Sequence, residues 1–163
     1  MAKTQSRIKY EEASKIVQEI KKILFPLSIP FEIYGSFIRK EPDIGDLDML
    51  AYEKDCEKIR NALAEKSYYD RIELYCIPDE YQNSWETFAL YLTGSGAFNI
   101  WMRSIARARG YLLNQYGLYE RESNRLVSTT EKEIFELLGI DFIDPEIRSE
   151  RFRSQWRKFL KNR

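Results

Sequence analysis

Between Phe31 and Tyr52 the chain has to leave one strand, turn tightly and enter a second, and few folds accept that string. Phe31-Glu32-Ile33-Tyr34 alternates apolar and polar residues, as a half-buried strand does. It runs into Gly35-Ser36-Phe37-Ile38-Arg39, then a loop from Arg39 to Gly45 holding Pro42, and Gly45-Asp46-Leu47-Asp48 leads into a strand expected from Asp46 to Tyr52. Glycine lets the backbone of Gly35-Ser36 approach a polyphosphate closely, and successive N–H groups in such a turn form an anion-binding concavity. On a strand, Asp46 and Asp48 point to one face. Two carboxylates held together repel unless a cation joins them. Mg²⁺ suits such a pair, because it takes one or two protein carboxylates and completes its shell with water and phosphate oxygens. The string therefore points to nucleotidyl transfer.

Composition narrows the remaining chemistry. The 163 residues include no histidine, which excludes Ser-His-Asp and Cys-His catalysis and any His-bearing zinc site. The two cysteines, Cys56 and Cys76, have no metal-ligand spacing and read as free thiols in a reducing compartment, Cys76 within a strand core. Hydrophobic content of 44% and aromatic content of 14% argue for a packed chain rather than disorder. No apolar run reaches the ~20 residues of a membrane span, and the start lacks the apolar stretch of a signal peptide. A soluble, monomeric, intracellular protein is expected, cytoplasmic or within an infected host cell, with no membrane partner. Net charge is +0, yet from Arg148 onward seven cations face the single acid Glu150, so the remainder is acidic to the same extent. A basic tail on an acidic body suggests that a polyanion meets the tail; an ordinary solvated tail is the alternative. Its cations are expected to stay exposed.

The elements read as α+β. A helix is expected from about Tyr10 to Phe25, where Ile16, Val17, Ile20, Ile23 and Leu24 recur at helical spacing and Pro26 ends the run. A second helix is expected from Lys54 to Lys66 and a strand from Arg71 to Ile77, with Ile72, Leu74 and Cys76 on one face and Arg71, Glu73 and Tyr75 on the other. Tyr81 to Leu92 leans helical and Ala97 to Arg109 is helical. Tyr116 to Val127 reads as a hairpin around Glu122-Ser123-Asn124. Thr130-x-x-Glu133 is a capping box opening a short helix that stops at Gly139. The tail from Ser149 is expected to be helical, with an apolar stripe of Phe152, Trp156 and Phe159 or Leu160. A metal-dependent site of this kind wants a third acid from a neighbouring strand, and Glu73 fits.

Together these motifs resemble the X family of DNA polymerases, the DNA polymerase beta-like group. Gly35-Ser36-Phe37-Ile38-Arg39 and Gly45-Asp46-Leu47-Asp48 are similar to its GSxxR and GDxD elements, and Arg71-Ile72-Glu73-Leu74 is similar to its RIDI strand. Tyr91-Leu92-Thr93-Gly94-Ser95 and Phe98-Asn99-Ile100-Trp101-Met102-Arg103 resemble YFTGS and FNxxMR, the more polymerase-specific part. Leu113 to Leu118 and Thr130 to Phe135 continue the match, which runs from about Tyr10 to Glu150. The resemblance implies a mixed-sheet palm of the nucleotidyltransferase fold over 1–93, a small α/β nucleotide-binding lobe over 94–148 and a basic tail over 149–163. It is closest in kind to minimal viral members, without room for lyase or helix-hairpin-helix modules.

By that resemblance, Asp46, Asp48 and Glu73 hold two Mg²⁺ ions, with Mn²⁺ as a substitute. Gly35, Ser36, Arg39 and Gly45 bind the triphosphate of a dNTP; Tyr91 and Gly94 line the sugar, and Asn99 meets the base edge. Arg71 neighbours the acids, and Arg71, Arg103 and Arg107 lie on the DNA side. The tail cations Arg151, Arg153, Arg157 and Lys158 would contact a primer–template or gapped duplex. Template-directed addition of dNTPs to a primer 3′ end, in gap-filling repair, is the expectation. A nucleotidyltransferase acting on RNA, a protein or a small molecule shares the GS–GDxD core, and a weakened DNA-binding module is the other rival. Four positions depart from the family pattern. Glu73 stands where Asp is usual, and a methylene moves a carboxylate by roughly 1 Å, enough to cost on the order of 10²-fold in rate; slow chemistry, a preference for Mn²⁺ or a re-registered strand would follow. Leu92 replaces an aromatic, which loosens the sugar contact. Tyr10 stands in place of a phosphate-binding Arg, with Lys9 beside it, and Ile44 replaces a hydroxyl residue.

Overall fold

The structure, a computed structural model, describes residues 6–161. The first five residues and Arg163, the last of the tail cations, lie outside that range. The chain divides into two compact units, Met1–Gln82 and Asn83–Arg163.

In the first unit, β1 (Ile8–Lys9) leads into α1 (Tyr10–Leu24), whose Ala13, Val17, Ile20 and Leu24 are buried along one face. A 3₁₀ turn containing Pro26 closes the helix, with Ser28 in the left-handed region at φ 56°. Then follow β2 (Phe31–Tyr34), the single turn α2 (Gly35–Ile38), β3 (Asp43–Ile44), β4 (Leu47–Tyr52), α3 (Glu53–Leu63) and β5 (Ile72–Ile77). The stretch read as a loop from Arg39 to Gly45 thus contains β3, which pairs with β1 through Ile8 and Ile44. The main sheet has the order β2-β4-β5; β2 is antiparallel to β4, and β4 is parallel to β5 through the α3 crossover. Central β4 is the most apolar strand because both its neighbours and α1 bury it: Leu47, Met49, Leu50 and Ala51 are fully buried. Only Asp48 and Tyr52 are half-buried along it.

The cysteines correct the sequence reading. Cys56 and Cys76 are not free thiols but a disulfide joining α3 to β5, with Cα atoms 6.4 Å apart. The crossover lays the buried face of α3 over the strand and brings two residues 20 apart in sequence to bonding distance. Spacing alone could not reveal that.

The second unit contains α4 (Trp85–Thr93), α5 (Gly96–Ala108), the antiparallel sheet β6 (Tyr111–Asn114), β7 (Gly117–Glu120) and β8 (Leu126–Ser128), and α6 (Glu131–Leu137). The compact units divide at 82, so α4 belongs with the second: its Leu90 joins the core of Phe98, Met102, Leu118, Phe135 and Trp156, and Ser84 donates to Tyr116 O at 2.7 Å. The expected hairpin gains β6 as a third strand, paired through Leu113 and Leu118. The Thr130 cap forms, its Oγ1 accepting from Glu133 N at 3.4 Å.

The tail is helical, as a 3₁₀ run over Glu150–Phe159 interrupted at Phe152; the expectation that its cations stay exposed is corrected at Arg148. The tail's stripe reduces to Trp156 as the one fully buried residue, meeting Phe98 edge-on at 5.1 Å and Trp101 at a tilt at 5.8 Å, with its Nε1 donating to Ile147 O at 2.7 Å. The tail is therefore part of the second unit's core. Arg148, the first of the seven cations, is not exposed but 1% accessible. Its guanidinium lies over the rings of Phe98, Phe135 and Phe142, pairs with Glu131 at 3.0 Å and donates from Nε to Ile143 O at 2.8 Å. A buried cation needs such compensation, and these contacts offset part of the desolvation; Nη2 meets Glu131 as an ion pair without hydrogen-bond geometry. Among the described residues, no helix is long and apolar enough to cross a membrane.

Candidate active site

The first unit assembles the candidate acids and most of the residues expected to bind phosphate. Tyr34, Asp48 and Glu73 form one row across the sheet: Tyr34 is the β2 partner of Asp48, and Glu73 its β5 partner. Residues at one register position share a face, so Asp48 and Glu73 lie side by side. Asp46 falls just ahead of the strand, which begins at Leu47 rather than at Asp46 as expected, and its carboxylate still acts on Asp48.

The charge state of Asp48 reports the crowding. Burial raises its pKa from 3.8 to about 6, reinforced by the carboxylates of Asp46 and then Glu73 and opposed by Arg39. Desolvation and like charges both disfavour the anion. A divalent cation at this point would relieve both, so the donor set fits one, and Asp46, Asp48 and Glu73 are the residues that could hold it. The three are not drawn into a closed cage: among the described residues, no group of three acid or cysteine side chains has metal-binding spacing. Mg²⁺ needs no such cage when phosphate oxygens complete its shell.

Gly35 has a role the sequence did not reveal. With φ at +65° it follows Tyr34 and turns directly over Asp48; a Cβ there would run into Asp48 Oδ2 and lie 3.0 Å from its Cγ. The glycine makes room for the carboxylate. Arg39 ends the turn, its Nε donating to Glu41 Oε2 at 2.9 Å with both side chains about one-sixth exposed. Arg71 donates from Nη1 to Gly45 O at 2.8 Å and to Ser6 O at 2.9 Å, so its guanidinium fixes the peptide just before Asp46. Tyr10, at the position of the missing Arg, stacks on Phe37 with centroids 5.2 Å apart, and its N–H donates to Pro42 O. It braces the turn rather than offering a cation. Lys9 is engaged by Asp43 at 2.9 Å.

The second unit gathers Tyr91, Asn99 and Arg103 around one small cleft, also lined by Thr87, Met102 and Asn114. Asn99 Nδ2 donates to Tyr91 O at 2.9 Å, and the Arg103 guanidinium lies 5.5 Å over the Tyr91 ring. Gly94, at φ +64°, makes the turn between α4 and α5, and Ser95 caps α5 through Phe98 N while donating to Arg148 O at 2.8 Å. Buried Arg148 thus ties the tail to this turn, a link invisible in the sequence. Arg107, Arg151, Arg153, Arg157 and Lys158 are exposed. Arg153 pairs with Glu150 at 3.5 Å, and Arg151 lies over Phe152. Two larger cavities contain none of the candidate residues: one of ≈ 500 Å³ beside Phe135 and Phe142, and one of ≈ 660 Å³ beside Phe25 and Pro30.

Comparisons with known proteins place this geometry in context. Residues 88–149 match the family model described as DNA polymerase beta thumb. The chain is 33% identical over 86 residues to DNA polymerase IV of Saccharomyces cerevisiae, covering 51% of this chain and 14% of that protein. It is 30% identical over 156 residues to the DNA polymerase/3′-5′ exonuclease PolX of Bacillus subtilis, covering 83% of this chain and 27% of that protein. The chain thus spans well under a third of either relative. Its fold is that of Leishmania infantum polymerase beta, solved as a ternary P/T complex, with a TM-score of 0.71 at 20% identity over 88% of this chain and 77% of that one.

Proposed function

Because the chain belongs to the X family of DNA polymerases, the polymerase beta-like group, we propose that it adds dNTPs to a primer 3′ end under the direction of a template strand. The observation that carries this reading is the row of Asp48 and Glu73 across β4 and β5, beneath the Gly35 turn and beside Asp46. In this reading the 3′-hydroxyl attacks the α-phosphate in line and pyrophosphate leaves. Asp46, Asp48 and Glu73 would hold two Mg²⁺ ions, or Mn²⁺, which when bound would supply charge neutralisation and a more acidic attacking hydroxyl.

The chain's own residues position the reactants. The N–H groups of the Gly35-Ser36 turn and the Nη edge of Arg39 bind the triphosphate, and Gly45 allows the following acids to approach it. Arg71 contributes by locking Gly45 rather than by binding DNA directly. Tyr91 and Gly94 line the sugar, Asn99 meets the base edge in the minor groove, and Arg103 and Arg107 meet the template strand. Asn99 and Arg103 are useful chiefly when a base pair is present, which favours a DNA end over a small-molecule acceptor. Arg151, Arg153, Arg157 and Lys158 neutralise phosphates of a gapped duplex, in gap-filling repair, with the protein acting as a monomer.

Primer extension on a one-nucleotide gap, with single dNTPs in Mg²⁺ and in Mn²⁺, tests the proposal. Correct-base addition that disappears in Asp48→Ala supports it. No addition in either metal overturns it, and restoration by Glu73→Asp would then mark a weakened polymerase site rather than a different substrate.

A further inference from the structure

Resting on the nucleotide roles given to Tyr91, Gly94, Asn99 and Arg103, we infer that Ser95 is the positioning residue that holds the four in one arrangement. Tyr91 lies on α4, Gly94 makes the turn, and Asn99 and Arg103 lie on α5. Ser95 joins the two helices, is 7% exposed and has every polar group engaged. Its Oγ accepts from Phe98 N at 3.3 Å, and its backbone O accepts from Asn99 N at 2.8 Å. These two bonds begin α5. Its Oγ also donates to Arg148 O at 2.8 Å, and its N donates to the same oxygen at 3.3 Å. The second pair fastens the start of the helix to a residue 53 positions away in the chain.

That residue makes a firm anchor. The Arg148 guanidinium is enclosed by the rings of Phe98, Phe135 and Phe142, pairs with Glu131 at 3.0 Å and donates from Nε to Ile143 O at 2.8 Å. A carbonyl on so enclosed a residue is a fixed acceptor, and Ser95 carries its position into α5. Residues four apart stand one above another on a helix, so Asn99 follows Ser95 along that face and Arg103 follows Asn99. Asn99 Nδ2 then reaches back to Tyr91 O at 2.9 Å, and the Arg103 guanidinium lies 5.5 Å over the Tyr91 ring. Gly94, at φ +64°, is the neighbour of Ser95 and moves with it. Without the Ser95 hydroxyl, Phe98 N loses its cap and Arg148 O keeps only the longer of its two bonds, so the start of α5 loosens beneath all four residues. The Tyr-Leu-Thr-Gly-Ser string shows a serine; its partner in Arg148 exists only in the fold.

Two variants and two readouts test the inference. Ser95→Ala removes both Oγ bonds, whereas Ser95→Thr keeps a hydroxyl that also caps helices. A neutral hydrogen bond is worth about three- to tenfold in an equilibrium or rate ratio. On a one-nucleotide gap, kcat/KM for the correct dNTP should therefore fall about three- to tenfold in Ser95→Ala, and that for an incorrect dNTP should stay within about twofold. The difference arises because a mispaired nucleotide gains little from aligned Asn99 and Arg103. A loss of folded protein would lower both together. Ser95→Thr should stay within about twofold of wild type for both nucleotides. Independently of any reaction, the heteronuclear NOE of the Asn99 side-chain amide should match the ordered backbone in the wild type and in Ser95→Thr, and drop in Ser95→Ala.

Equal losses for correct and incorrect dNTP, wild-type kinetics in Ser95→Ala, or a mobile Asn99 amide in the wild type overturns the inference. So does a folded Ser95→Thr that behaves like Ser95→Ala. Should Ser95→Thr fail to fold, the selectivity of Ser95→Ala and the wild-type Asn99 amide decide. A wild type with the ordered amide that adds no nucleotide would overturn the polymerase reading, and the nucleotide role of Ser95 with it.

Discussion

Replacing Asp48 by Asn should make the metal-free protein more stable while abolishing its activity. In the fold, burial and the carboxylates of Asp46 and Glu73 raise the Asp48 pKa from 3.8 to about 6. The folded carboxyl thus holds its proton more tightly than the unfolded one. Below 3.8 both states are protonated and no penalty exists; between 3.8 and about 6 stability falls as pH rises; above about 6 the full penalty stands. At about 1.36 kcal/mol per pH unit, that gap corresponds to at most about 3 kcal/mol. Asp48 is only half-buried, and water screens part of it, so a gain of about 1–2 kcal/mol is expected from a neutral side chain of equal size. Urea unfolding in EDTA, followed by far-ultraviolet circular dichroism, measures it. Asp48→Asn should exceed wild type by that amount at pH 7.5 and match it near pH 4. Addition of Mg²⁺ with a dNTP should then favour wild type, because ligation relieves the repulsion only where the carboxylate remains. A variant less stable than wild type in EDTA at pH 7.5, or a gain that does not change with pH, would refute the reasoning.

Gly35→Ala should lose extension activity and lower the melting temperature, since it places a Cβ against the Asp48 carboxylate at φ +65°, where a side chain alone costs about 1–2 kcal/mol; retention of wild-type activity would refute that account. Trp156→Ala should destabilise the second unit by about 3–5 kcal/mol, read by thermal unfolding, because its ring packs on Phe98 and Trp101. Truncating the tail would therefore unfold that unit rather than test DNA contact. The double charge reversal Arg157→Glu with Lys158→Glu should keep the fold and lower the salt slope of DNA binding by about two, read by anisotropy across a salt series. Reduction of the disulfide, or Cys56→Ser, should lower the urea stability of the first unit by about 3 kcal/mol for a loop of this size.

What was legible in the sequence was local. Period-two alternation marked β2 and β5, period-3.6 recurrence marked α1, and the Gly-Ser turn followed by Asp46 and Asp48 identified the candidate site, because each of these signals is carried by neighbours along the chain. Glu73 was legible only as an acid on the correct face of a strand. Its place beside Asp48 was decided by the parallel register of β4 and β5, a pairing across the α3 crossover that no local pattern encodes. The same crossover decided the Cys56–Cys76 disulfide, against the reading of free thiols. The tail was misread for a related reason: charge is counted along the chain, but burial is set by what packs around it. Arg148 looks like any other tail cation until Phe98, Phe135, Phe142 and Glu131 enclose it. The sequence by itself determined which residues are candidates for the chemistry; the tertiary structure decided which carboxylates repel, which arginines are already engaged and which glycine leaves room for them, because those energies depend on distances between residues far apart in the chain.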